Sequence, residues 1–159
     1  MPDDTPTMPA GHAFHHIGYA CTTITRERSV LEAMGYRLEQ AAFSDPVQGV
    51  HGCFMVGAGP RIELLENLPG SDTLTPWLSA GIKMYHLAYE VNDIHATLAW
   101  ARGRRGIVKV RPVAAVAFGG RLIAFVFFRN GLLTEFIEAE RGSGAQGVEA
   151  ITGDADDLL

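Results

Sequence analysis

The chain has 159 residues, a length that suits one domain or two small fused halves. Hydrophobic residues make up 47% and charged residues 19%, which excludes wholesale disorder, collagen and coiled coil. The formal charge of −5 argues against nucleic acid as a partner, and no apolar run reaches the roughly 18 residues of a membrane span.

Residues 1–12, with three prolines and two aspartates, read as a flexible N-terminus. Met1-Pro2-Asp3-Asp4 lacks the basic and apolar regions of a secretory signal, so a cytoplasmic setting is expected. The folded body then spans about 13–140. FHHIGYAC at 14–21 is aromatic and β-branched, a strand pattern. Thr25 is the expected N-cap of a helix that shows Val30, Leu31 and Met34 on one face and stops at Gly35. Strands follow at 36–42 and 49–57, divided by a Ser44-Asp45-Pro46 turn, and a further strand lies at 61–66. A connector over 67–82 contains a short helix at 75–79. The second half has a strand at 83–91, then a helix capped by Asn92 or Asp93 and carrying Ile94, Leu98 and Ala101. Strands at 107–114, 121–128 and 132–138 complete it, and 141–159 reads as a flexible acidic tail. Cys21 and Cys53 form no CxxC pair and read as small buried apolar residues.

The halves repeat each other. HIGYACTTI at 16–24 matches HLAYEVNDI at 86–94 with an offset of 70, and RIELLE at 61–66 matches LTEFIE at 133–138 with an offset of 72. Matched segments in matched order predict a duplication, hence an α+β fold of two tandem βαβββ modules: about 14–66 and 83–138. Equivalent residues of a duplicated unit converge near its pseudo-twofold axis. His16 and His86 are equivalent on the first strands, Glu63 and Glu135 on the last. Two imidazoles and two carboxylates make an N/O site for a divalent first-row metal, with open positions left for water or a bidentate substrate. Strand alternation puts Gly18 and Ala20 on the face of His16, and Ala88 on that of His86. These small residues are expected to leave room for substrate. The same alternation turns His15 away from His16 and sends Glu66 and Glu138 to the exposed face. His12, His51 and His95 have no repeat partner.

HHIGYAC, RIELLENLPGSDTLTPWL, MYHLAYEVNDI and FGGRLIAFVFFRNGLLTEFIE resemble motifs of the vicinal oxygen chelate superfamily, most closely those of the methylmalonyl-CoA epimerase family. The resemblance spans about 14–138. It implies an open, cupped sheet around a metal held by His16, Glu63, His86 and Glu135, often in a homodimer. The ion expected is Co, Ni, Mn, Zn, Mg or Fe. Glu135 or Glu63 would act as catalytic base in a glyoxalase- or epimerase-like enzyme, an isomerase or lyase that enolises an acyl thioester or similar small carbonyl compound. The epimerase family's acid/base carboxylate is replaced here: gapless comparison puts Gly52 in its place. An Fe(II) extradiol-type dioxygenase and a metal-free, drug-sequestering binding protein are the alternatives. Arg102, Arg104 and Arg105 are surface residues or contacts for a CoA or phosphopantetheine group, and at least one of Phe125, Phe127 and Phe128 is expected to line the cavity.

Overall fold

The computed structural model describes residues 7–141. Most of the two segments read as flexible ends, residues 1–6 and 142–159, lies outside the described residues. The first half runs β1 (Ala13–Ala20), α1 (Ile24–Ala33), β2 (Arg37–Leu38), β3 (Phe43–Asp45), β4 (Val50–Val56) and β5 (Ile62–Asn67). A short α2 (Thr75–Ser79) lies in the connector. The second half runs β6 (Met84–Val91), α3 (Ile94–Gly103), β7 (Ile107–Ala114), a 3-10 turn at Val116–Phe118, β8 (Leu122–Phe127) and β9 (Leu133–Glu138). Among the described residues the nine strands form one open sheet in the order β2-β4-β5-β1-β6-β9-β8-β7, with β3 also on β4.

Strand pairing expresses the duplication. β1 and β6 meet antiparallel at the centre, with Ile17 opposite Leu87, flanked by His16 opposite Ala88 and Gly18 opposite His86. β1 pairs parallel with β5, setting Gly18 beside Glu63, and β6 pairs parallel with β9, setting Ala88 beside Glu135. Phe54 pairs with Glu63 in one half and Phe125 with Glu135 in the other. α1 and α3 pack against clusters on one face of the sheet, while α2 brings Trp77 to the cavity on the face that carries the site.

α3 packs as its sequence pattern requires, burying Ile94, Thr97, Leu98 and Ala101 against Val91, Ala124, Val126 and Phe136. The Asp93 side chain caps it by accepting from the Ala96 N–H at 2.9 Å. α1 departs from expectation in two ways. Its N-cap is Thr23, which makes no side-chain cap bond; Glu66 accepts from the Ile24 N–H at 2.7 Å instead. Glu66 is therefore half-buried rather than exposed, and so is Glu138. The stripe that α1 turns to the sheet is Ile24 and Leu31, while Val30 and Met34 are 56% and 67% exposed. Val30 sits about 100° around the helix from Leu31, so a stripe this narrow cannot hold both. Gly35 ends the helix in the left-handed region (φ 90°), with the Gly35 and Tyr36 amides donating to Glu32 and Leu31.

The strand expected at 36–42 is reduced to β2, and β3 forms beyond it, so Ser44 belongs to a strand rather than to a turn. Asp45 explains the shift. Buried, its Oδ1 accepts from the Val47 and Gln48 amides and its Oδ2 from the Val116 amide. The turn is thus drawn past Asp45 and clasped to the 3-10 turn of the other half. Cys21 and Cys53 are buried free thiols under α1.

Candidate metal centre

Glu63 enters the concave face from β5 and Glu135 from β9, each on the strand parallel to the one bearing a histidine. His16 Nε2 lies 3.0 Å from Glu63 Oε2, 3.2 Å from Glu135 Oε2 and 3.1 Å from His86 Nε2. His86 Nε2 lies 3.6 Å from Glu63 Oε2 and 3.4 Å from Glu135 Oε2. One ligand atom from each of the four falls within 4.8 Å of the others, and all four residues are buried. The structure thus brings together the four residues that the repeats single out.

The donor set fits a cation. Two Nε2 atoms 3.1 Å apart have room for one proton between them, and both carboxylates are acceptors. Glu135 Oε2 is buried with no properly aligned hydrogen bond although both imidazoles are near. Four ligand atoms crowd one point without enough protons to pair them, the arrangement that a divalent ion satisfies. Without an ion the same crowding shifts titration. Burial alone would lower His16, but the carboxylates of Glu63 and Glu135 outweigh it and raise the imidazole to about 9. Burial alone would raise Glu135, but its contacts with His16 and His86 bring it to about 2.

The local packing explains why these chains approach so closely. A Cβ on Gly18 would stand 1.9 Å from His86 Cε1, so the glycine makes space for the opposite imidazole. Gly18 therefore makes room for an imidazole, and the room expected for substrate lies elsewhere, in a cavity that none of Gly18, Ala20 and Ala88 lines. Phe54 meets His16 edge-on with centroids 5.3 Å apart, and Phe125 meets His86 at 5.2 Å in the equivalent way. Phe118 stacks on His16.

Alternation misplaced one histidine. β1 carries a bulge between Phe14 and His16, and β6 carries the matching bulge between Met84 and His86. Each bulge inserts one unpaired residue, His15 and Tyr85, and swings it toward the histidine that follows. His15 Nδ1 lies 2.8 Å from His16 Nδ1. Burial, with His16 and Arg61 adding, lowers His15 to about 4. The Tyr85 ring stands edge-on to His86, 4.5 Å between centroids, and burial with Glu63 and Glu135 nearby raises its hydroxyl well above the usual tyrosine range. Sequence reasoning missed both as site residues. The equivalent spacing, one residue before each ligand, was the available signal.

Above the cluster opens a cavity of about 470 Å³ whose lining includes Glu63 and Glu135. Phe43, Trp77, Tyr85, Phe118, Phe125 and Phe127 supply its aromatic wall, and Lys109 is the one cationic residue on it among the described residues. Phe128 instead packs with Trp100 on the helix side. None of Arg102, Arg104 and Arg105 lines the cavity. Gly52 is paired between Phe43 and Leu65, but a Cβ there would stand 2.5 Å from Phe43 and 2.6 Å from Leu65. A side chain there would have to displace the Phe43 ring and the Leu65 methyl group. His51 binds Ser44 Oγ, and Cys53 packs under α1, so neither takes its place.

A family model described as the Glyoxalase/Bleomycin resistance protein/Dioxygenase superfamily matches residues 11–125. The chain belongs to that superfamily. Its fold is that of several solved structures. A hypothetical protein from Bacillus halodurans C-125 superposes with a TM-score of 0.70 at 24% identity, over 84% of this chain and 99% of that one. Methylmalonyl-CoA epimerase from Mycobacterium tuberculosis gives 0.66 at 20% identity, over 80% of this chain and 88% of that one. A Streptomyces coelicolor methylmalonyl-CoA epimerase variant in complex with 2-nitronate-propionyl-CoA gives 0.64 at 20% identity, over 80% and 97%. At these identities the likeness speaks for the fold. No curated protein sequence matches significantly. No helix among the described residues is long and apolar enough to cross a membrane.

Proposed function

We propose that this protein is a divalent-metal-dependent enzyme that enolises a small carbonyl compound, an acyl thioester being the first candidate, by proton transfer at the α-carbon. The observation that carries the reading is the convergence of His16, Glu63, His86 and Glu135 within 4.8 Å beneath a cavity lined by the two carboxylates. These four residues would hold the ion. The chemistry it supplies when bound is Lewis-acid stabilisation of the enolate oxygen, which lowers the barrier by several kcal/mol.

The chain's own residues do the rest. The aromatic wall excludes water and orients an apolar acyl group. Glu63 and Glu135 face the cavity, so either carboxylate can take the α-proton and return it. The Tyr85 hydroxyl on the same wall stays protonated, a hydrogen-bond donor rather than a base. Packed as it is, Gly52 supplies no second acid/base group, which favours a 1,2-shift in which one carboxylate moves the proton between neighbouring atoms over epimerisation. The superposable epimerases, one of them complexed with methylmalonyl-CoA, make acyl-CoA esters the first panel to try. A cytoplasmic homodimer with reduced thiols completes the reading. Two carboxylates in the cluster favour this chemistry over an extradiol dioxygenase, which needs two His and one carboxylate.

The test is solvent-deuterium exchange over acyl-CoA esters, pantetheine thioesters and a glutathione hemithioacetal, with chelator-stripped and metal-reloaded protein. Metal-dependent deuterium at the α-carbon is the expected result. No exchange with any substrate, in protein shown to bind metal, would overturn the enolisation reading.

A further inference from the structure

The bulges in β1 and β6 put different residues in equivalent positions: His15 before His16, Tyr85 before His86. The two imidazoles are consequently supported differently. Each turns Nε2 to the cluster. Behind it, His16 Nδ1 meets His15 Nδ1 at 2.8 Å, whereas the buried His86 Nδ1 has no hydrogen-bond partner among the described residues.

Two facing ring nitrogens share one proton, so one is donor and one acceptor. A nitrogen that gives its lone pair to a cation carries no proton. A neutral His16 that ligates through Nε2 therefore holds its proton on Nδ1. His15 Nδ1 must then accept, with its own proton on Nε2. The opposite direction would place the His16 proton on Nε2, where it blocks the site. Nor is the His15 ring free to swing away: it packs edge-on against Phe118 and Phe54, at 5.5 and 6.1 Å between centroids, and Arg61 donates to its carbonyl.

We infer that His15 is a positioning residue for metal binding: by accepting the hydrogen bond of His16 Nδ1 it fixes the tautomer and orientation that aim Nε2 at the ion. Metal-binding histidines usually find this support in a carboxylate, a carbonyl or water. Here a second imidazole provides it, delivered by one inserted residue. Among the described residues, none gives His86 Nδ1 such support. The inference rests on the metal reading above.

Chelator-stripped full-length protein is titrated with Co²⁺ against a chromophoric competitor, for wild type, H15F, H15N and H86A, with melting temperatures measured alongside. H15F keeps an aromatic ring and removes the acceptor. H15N restores an acceptor, because Asn Oδ1 stands close to where His Nδ1 stood. H15F is expected to weaken Co²⁺ binding about 10- to 100-fold, and H15N to recover wild-type affinity to within a few-fold. In the Co²⁺ proteins, the shifted and slowly exchanging N–H resonance of His16 should persist in wild type and H15N and disappear in H15F. H15F binding Co²⁺ like wild type, or H15N as poorly as H15F, overturns the inference. Loss of tight binding in H86A but not H15F removes the role of His15 and leaves the metal site standing. Equal, weak binding by wild type and H86A removes both.

Discussion

Gly18 to Ala is the most direct perturbation of the candidate centre that leaves all four of its residues in place. The added methyl would lie 1.9 Å from His86 Cε1, 2.1 Å from Nδ1 and 2.4 Å from Nε2, so it meets the whole edge of the ring. A Cβ atom essentially never approaches another heavy atom closer than 3.0 Å, so the ring must retreat by about 1 Å or β1 must part from β6. Metal–nitrogen bonds tolerate only about 0.2 Å of error, so a displaced His86 is lost as a ligand. A metal affinity at least about 100-fold weaker follows, the scale on which a 1 Å misplacement acts. Overpacking adds about 1–3 kcal/mol of destabilisation. The assay is Co²⁺ titration followed by the visible spectrum, paired with thermal melts. G52A serves as control: its methyl meets Phe43 and Leu65 at 2.5 and 2.6 Å, so it should lower the melting temperature and spare the ligands. G18A binding metal as tightly as wild type would refute the reasoning, since His86 would then not be a ligand or the strands would yield freely.

Asp45 to Ala leaves the amides of Val47, Gln48 and Val116 without their acceptor, and should cost about 3 kcal/mol in denaturant unfolding; D45N should cost less, and an unchanged midpoint in D45A would remove the clasp. Arg105 holds the left-handed position after α3 (φ 60°) that Gly35 holds after α1, so R105G should raise stability by about 1 kcal/mol; a lower melting temperature would show that the arginine side chain does more than fill the position. Metal-free protein should lose stability with rising pH. The raised pKa of His16 contributes fully below its unfolded value of 6.5 and is lost as pH climbs through about 9, a change of order 3 kcal/mol; urea melts in chelator at pH 6 and 9.5 measure it, and flat or rising stability would contradict the ion pairs. Y85F should retain the fold and the metal and lower turnover of the substrate found by deuterium exchange, with unchanged kinetics excluding the hydroxyl from the reaction.

Much of this molecule is written along the chain. The offsets of 70 and 72 determine that His16, His86, Glu63 and Glu135 occupy equivalent strand positions, and periodicity determines α3 and its buried face, because both signals are local and survive any tertiary arrangement. Alternation also explains why Cys53 and His51 leave the concave face while Phe125 and Phe127 share it. Tertiary structure alone decided the rest. The bulges at His15 and Tyr85 arise from pairing between strands 70 residues apart, and each reverses the alternation that a lone strand would predict. Gly18 is small because an imidazole from the other half needs its space, and any side chain at Gly52 would meet the Phe43 ring tip and a Leu65 methyl group. Asp45 draws its turn past the expected position because its third acceptor contact is to Val116, on the far side of the site. A one-dimensional pattern encodes which face a residue shows; what stands opposite that face depends on strands brought together only by folding.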